Sequence, residues 1–139
     1  MKSLLKKVRG NKKGFTLAEL LVVVAIVGIL VAISIPVFTS QLAKARKATN
    51  QANMRAAKAA AVAQYLTDGE NSEKCYEYDL EKGIAKSINE LTLKNNAKNI
   101  DEAEDNKRYT EIEVSVKAST VNPDDNTTNN DGSVVIYVK

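Results

Sequence analysis

The chain has no His, no Trp, two Pro and one Cys among its 139 residues. Without His, a His-based catalytic triad and a His-rich zinc site are excluded; with Cys75 alone, so is an internal disulfide. Aromatic residues make up only 5%. The length allows one small domain, hardly two. The formal charge is +3 and the average hydropathy is that of an ordinary soluble protein. That average misleads, because the apolar residues are concentrated in one block near the N-terminus.

Charge divides the chain into four zones. Residues 1–14 hold six cations and no acid, for +6. Residues 15–43 carry one charge, Glu19. Residues 44–67 hold Lys44, Arg46, Lys47, Arg55 and Lys58 and no acid, for +5. Residues 68–139 carry nine cations against 16 acids, for −7. No internal repeat is visible, and the one low-complexity stretch is the Asn/Asp/Thr run Asn122–Asp131.

The uncharged block predicts a membrane helix. About 20 apolar residues at 1.5 Å each cross a hydrocarbon layer of about 30 Å, and Leu20–Phe38 is long enough. A protein this small has no core to surround a helix that is apolar on every side. A cleaved secretory signal has a shorter apolar region followed by small residues; here the far end reads Ile35-Pro36-Val37-Phe38. Six cations precede the block, so the positive-inside rule puts the N-terminus in the cytoplasm and the C-terminal bulk outside. Glu19 lies near the start of the block, where an acid is costly and points to function. The plainer reading is a helix-end acid that favours the dipole. Gly28 and Pro36 can loosen or kink such a helix, or be tolerated without purpose.

The run Lys12-Lys13-Gly14-Phe15-Thr16-Leu17-Ala18-Glu19-Leu20-Leu21 resembles the processing site of type IV prepilins and pseudopilins. The resemblance covers about residues 9–45 and is architectural beyond that. It implies a leader, residues 1–14, cut between Gly14 and Phe15 by a prepilin peptidase that also methylates Phe15. Glu19 then falls fifth in the mature chain, where the family places its assembly acid. Gly28 and Pro36 fall where the family has a Gly and a helix-disturbing Pro. Ala18 stands where the family more often has Ile or Val. The Cys pair of many Gram-negative pilins is missing, which fits a Gram-positive-type major pilin. Physics agrees with a role for Glu19. The cut creates an α-amino group on Phe15 beside an apolar layer, and a lone buried ion is expensive unless closely paired. Glu19 of one subunit and the Phe15 amine of another can neutralise each other.

Beyond the membrane half (15–43) the pattern predicts more helix (44–67). Leu42, Ala45, Ala48 or Thr49, Ala52, Ala56, Ala59, Ala63 and Leu66 recur at helical spacing, as an apolar stripe. Lys44, Lys47, Gln51, Arg55 and Lys58 form a second stripe. This is a solvated face, a contact for acidic heads of neighbouring subunits, or a site for nucleic acid or an anionic wall polymer. Nucleic acid as a partner has little support, since only Tyr65 adjoins the stripe. Thr67-Asp68-Gly69 reads as a stop. The helix from Phe15 to Thr67 would be about 80 Å long.

The head (68–139) is too short to bury much core alone, and the long helix supplies the missing layer. Asp79 is read as the cap of a short helix carrying Leu80, Ile84, Ile88 and Leu91. Asn95–Arg108 reads as loop or frayed helix. Glu111–Ala118 and Ser133–Val138 read as strands, with a third near Cys75–Tyr78 or Asn106–Tyr109. The expected fold is α+β, a long N-terminal helix packed on a small antiparallel sheet. The acid- and Asn-rich loop Asp124, Asp125, Asn126, Asn129, Asn130 and Asp131 reads better as a turn than as a calcium site. Asn126-Thr127-Thr128 matches a glycosylation triplet that is common by chance. Cys75 reads as a small buried residue.

No nucleophile–base pair, metal cluster or phosphate loop is visible, so neither catalysis nor a cofactor is expected. The resemblance implies a filament subunit, with further copies of itself, the prepilin peptidase, an assembly ATPase and a membrane platform as partners. It would serve adhesion, twitching motility, biofilm formation or DNA uptake. It would sit in the cytoplasmic membrane as a single-pass precursor and then in an extracellular pilus. The rivals are a pseudopilin of a secretion or competence system and an anchored binding module that does not polymerise.

Overall fold

A computed structural model describes residues 14–69, 71–121, 128–129 and 132–139. The elements in chain order are helix α1 (Leu17–Asp68), strands β1 (Lys74–Asp79) and β2 (Ile84–Ile88), a single 3-10 turn (Ile100–Glu102), and strands β3 (Ile112–Lys117), β4 (Thr120–Val121), β5 (Thr128–Asn129) and β6 (Ser133–Val138). The chain divides into two compact units, one up to Ser40 and one from Gln41 to Lys139.

In the first unit, α1 begins at Leu17, two residues after the expected start. Its apolar side chains from Leu20 to Phe38 lie 49–69% exposed, with none packed inside the protein. The helix runs through Gly28 and Pro36 without a break. Pro36 has no N–H to give to the preceding turn. Three hydroxyls nearby fold onto the backbone: Ser34 Oγ donates to the Leu30 carbonyl (2.6 Å), Thr39 Oγ1 to Pro36 (3.0 Å) and Ser40 Oγ to Val37 (3.0 Å). Such bonds hide polar groups from a hydrocarbon environment.

In the second unit, α1 packs on a four-stranded antiparallel sheet of order β2-β1-β3-β6. The packed helix face is Asn50, Met54, Ala57, Ala61 and Tyr65. The alanine stripe of the sequence reading is therefore not the core face: Ala52, Ala56, Ala59, Ala63 and Leu66 are exposed. At about 100° per residue the two stripes lie about half a turn apart. Alanine occurs on both the buried and the opposite side of this helix and bears little area, so its periodicity does not choose between them. Met54 and Tyr65 bring far more apolar area to bury, and Ala57 and Ala61 between them let the sheet approach. Opposite them stand Tyr76, Ile112, Val114, Val116, Ile136 and Val138, alternate residues of β1, β3 and β6.

The short helix expected from Asp79 is absent; β1 turns into β2 there. Asp79 does cap, but it caps a turn. Its Oδ1 accepts the N–H groups of Glu81 and Lys82 (3.0 Å each) and its carbonyl that of Gly83 (2.8 Å). Gly83 sits at φ +69°, which ends any helix. Ile84 and Ile88, four apart, share a face in a helix and in a strand alike, so their spacing did not discriminate.

The strand expected over Glu111–Ala118 is β3, and Ser133–Val138 is β6. Of the two candidate third strands, Cys75–Tyr78 lies in β1 and Asn106–Tyr109 is loop. Asn95–Arg108 is irregular apart from the 3-10 turn, and its 96–98 segment covers part of the β6 edge. There Lys98 N–H donates to Ile136 O (2.9 Å) and Val138 N–H to Asn96 O (3.2 Å), and a covered edge no longer recruits foreign strands. α1 stops at Asp68, followed by Gly69 at φ +65°.

Candidate functional site

Thr16 and Glu19 form a reciprocal cap at the start of α1. The Glu19 carboxylate accepts the Thr16 N–H through Oε2 (3.0 Å), and Thr16 Oγ1 accepts the Glu19 N–H (3.3 Å). This is the Thr-x-x-Glu capping box, which satisfies two otherwise orphaned donors. The acid near the apolar block therefore has a local structural use at the helix start. Oε1 takes no part in the box. Phe15 and Glu19, with Ala18, Val22 and Val23, line a shallow apolar hollow of about 490 Å³. Phe15 is 83% exposed. Gly14 precedes it with no other atom near the place a side chain would occupy. The Gly14–Phe15 peptide thus lies open ahead of the helix. Gly28 and Pro36 lie further along α1 and do not join this group. The rest of the leader, residues 1–13, lies outside the described residues.

The second unit holds two buried polar anchors that the sequence reading did not single out. Asn50 is fully buried on α1. Its Nδ2 donates to the carbonyls of Glu104 (2.9 Å) and Lys107 (2.8 Å), and its Oδ1 accepts the Tyr109 N–H (3.1 Å). The one hint in the sequence is a poor helix former in mid-helix. Glu113 is buried on β3, and its carboxylate accepts Thr92 N–H (2.8 Å), Thr92 Oγ1–H (2.5 Å) and Leu93 N–H (2.9 Å). Together they tie the long β2–β3 connection to the helix and to the sheet.

Five cations of the head form ion pairs among the described residues. Lys98 and Glu104 form an ion pair, joined by Lys107 at 3.5 Å. The Lys98 hydrogen bond lowers the Glu104 carboxyl below its ordinary value, and the Glu104 bond raises the Lys98 ammonium. Lys94 pairs with Glu90, and Lys139 with Glu111 at 3.2 Å. Asp68 is lowered by bonds from Gln64 and then Tyr76, whose Oη donates at 2.9 Å. Cys75 is half-buried, not fully buried as expected; desolvation, then Glu73, pushes its thiol up. By contrast Lys44, Lys47, Arg55 and Lys58 on α1 are exposed and have no ion pair among the described residues. Among those residues no group of three metal-ligating side chains occurs. The candidate calcium positions Asp124, Asp125, Asn126, Asn130 and Asp131, and the glycosylation triplet except Thr128, lie outside them.

One unit with an exposed apolar helix behind a Gly-Phe junction and a second unit in which the helix packs on an antiparallel sheet match the α+β fold of type IV pilins. The profile described as "Prokaryotic N-terminal methylation motif" matches residues 9–35. The chain is 40% identical over 68 residues to a type IV major fimbrial protein, FimA, of Dichelobacter nodosus, a match covering 47% of this chain and 40% of that one. It is 54% identical over 36 residues to fimbrial protein EcpB of Eikenella corrodens (26% and 23%). It is 39% identical over 57 residues to fimbrial protein EcpC of the same organism (41% and 37%). The matches thus span well under half the length of these relatives. No solved structure matches. The N-terminal part of the chain is thus similar to that of type IV fimbrial proteins.

Proposed function

We propose that this chain is the structural subunit of a type IV pilus, cut between Gly14 and Phe15, methylated on Phe15 and polymerised through α1. The observation that supports it best is the exposed apolar run Leu20–Phe38 directly behind the motif-bearing junction. An all-round apolar helix needs a bilayer or other helices around it. Before assembly it spans the cytoplasmic membrane as residues 15–43, with the leader inside; afterwards it lies in the filament core. Residues 44–67 continue the helix and 68–139 form the outer head. The prepilin peptidase, an assembly ATPase and a membrane platform act on it.

Cleavage leaves a charged amine on Phe15, next to the capping box. Glu19 keeps Oε2 on its own Thr16 and offers Oε1 to the Phe15 amine of another copy. The pair neutralises two charges in an apolar layer and admits one register, giving specificity more than stability. Gly28 and Pro36 supply backbone give where helices crowd.

The test is N-terminal sequencing of the main protein in surface-sheared filaments. Methylated Phe15 in abundant long fibres is the expected result. Processed chain found in membranes alone would favour a pseudopilin, and an intact Met1 would overturn the reading.

A further inference from the structure

We propose that the basic face of α1, formed by Lys44, Lys47, Arg55 and Lys58, docks on the acidic head of a second copy of this chain. This rests on the filament reading above and names the contact by which neighbouring subunits engage outside the apolar core.

The first argument is an imbalance in pairing. Lys82, Lys94, Lys98, Lys107 and Lys139 on the head each have a carboxylate partner, while Lys86, Arg108 and Lys117 have no ion pair among the described residues. The four cations on the helix have none among the described residues, and residues 44–67 contain no acid to supply one. Lys58 borders a hollow with Asp101 and Glu102 but pairs with neither. Natural surfaces usually intersperse the two signs; +5 on one helical stretch against −7 on the head does not.

The second argument is the placement of the acids. On the outer face of the sheet Glu77 stands directly across from Glu113 in the β1–β3 register. Like charges in that position destabilise a sheet. Both line a groove of about 260 Å³ with Ile88, Glu90, Thr92 and Glu111. Glu77 has no ion pair among the described residues. A cation entering this groove relieves the repulsion. Within the chain, Lys86 stands across from Glu77 on β2 but forms no ion pair with it, and α1 packs on the other face of the sheet, against Tyr76 and Val114. The own-chain cations Lys86, Lys94 and Lys139 leave the groove with more acids than bases, and the complementary partner is another molecule with the same helix. A nucleic acid fits less well, since the −7 head repels a polyanion and Tyr65, the aromatic nearest the stripe, is buried.

Exposed ion pairs are individually weak and screened by salt. Their effect here is to select orientation and to make assembly salt-sensitive. In the test, filaments of the full chain are treated with a carbodiimide, which joins an amine to a touching carboxylate without a spacer. Links present in the dimer band and absent from the monomer band are then mapped by mass spectrometry. Lys44, Lys47 or Lys58 joined to a head carboxylate is the expected result. The triple variant Lys44→Glu, Lys47→Glu, Lys58→Glu should lower filament yield about threefold to tenfold at about 0.15 M salt, with Glu77→Lys restoring part of the loss. Dimers linked only through other residues, or wild-type yield from the triple variant at every salt concentration, would overturn the docking proposal while leaving the filament reading intact. A stripe held on DNA with no subunit link would do the same. A wild-type chain that forms no filaments overturns both. The cross-linking arm decides even where the triple variant fails to accumulate.

Discussion

Replacing Asn50 by Ala should destabilise the head despite improving the helix. The substitution gains about 0.6 kcal/mol of helix propensity. Against this it removes three hydrogen bonds, from Nδ2 to Glu104 O and Lys107 O and from Tyr109 N–H to Oδ1. Each is worth about 1 kcal/mol net, and an unpaired buried donor costs about 1–3 kcal/mol. Tyr109 N–H is the donor left without a partner. The net loss should be about 2–3 kcal/mol, a large share of the roughly 5–15 kcal/mol that holds a domain folded. The population of the opened loop should rise by roughly a hundredfold at the upper end. Urea unfolding of the full chain in detergent micelles measures the loss. The chain has no Trp, so the buried Tyr65, Tyr76 and Tyr109 serve as near-ultraviolet probes. Hydrogen exchange at the Tyr109 amide reports the same opening locally. Thr49→Ala is the control: Thr49 is exposed and its Oγ1 only folds back to Ala45 O, so this change should be neutral or slightly stabilising. An Asn50→Ala variant as stable as wild type, with Tyr109 protected, would refute the anchoring argument.

Four further outcomes are expected. Glu113→Ala should lose about 3 kcal/mol through its three bonds to Thr92 and Leu93, and Glu113→Gln less, since an amide oxygen still accepts; thermal unfolding of both variants checks the order. Gly69→Ala should lose about 1–2 kcal/mol from backbone strain alone, because φ is +65° and nothing crowds the added carbon; a neutral result in urea unfolding would contradict that conformation. The Lys98–Glu104 pair should contribute fully between the ordinary values of 4.5 and 10.5, fading as pH falls through the lowered Glu104 value or rises through the raised Lys98 value. With no His in the chain, melting temperature should therefore be nearly flat around neutrality, and a sharp step there would be unexpected. Glu19→Ala should abolish or sharply reduce surface filaments, as judged by electron microscopy of sheared material, while the chain still reaches the membrane; wild-type filaments would sink the pairing proposal.

The sheet was largely legible in β3 and β6, because alternation of Glu111–Ala118 and the β-branched run from Ser133 to Val138 are local signals. β1 was among the expected strands, but the turn after it and β2 were read as a helix, since Leu80, Ile84 and Ile88 satisfy both periods and Asp79 caps turns and helices alike. The start of α1 was legible in kind, yet the use of Thr16 was missed. Thr16-x-x-Glu19 is a local pattern whose spacing, apart from the charge of Glu19, encodes the cap. Asn50 and Glu113 escaped altogether. Their partners lie 54 to 59 and 20 to 21 residues away, and no local pattern encodes such a distance.

What the sequence determined by itself is the one-dimensional part: an uncharged span of set length, a basic segment before it, a Gly-Phe-Thr-x-x-Glu run, and a charge split between helix and head. Length, charge and local spacing act without reference to the rest of the chain, so they are read directly. Tertiary structure alone decided which side of α1 meets the sheet. The alanines made two opposite sides permissible, and the choice fell to the side where Met54 and Tyr65 bury the most area and Asn50 finds three backbone partners. That choice leaves the opposite alanine stripe and the adjoining basic face uncovered by the head.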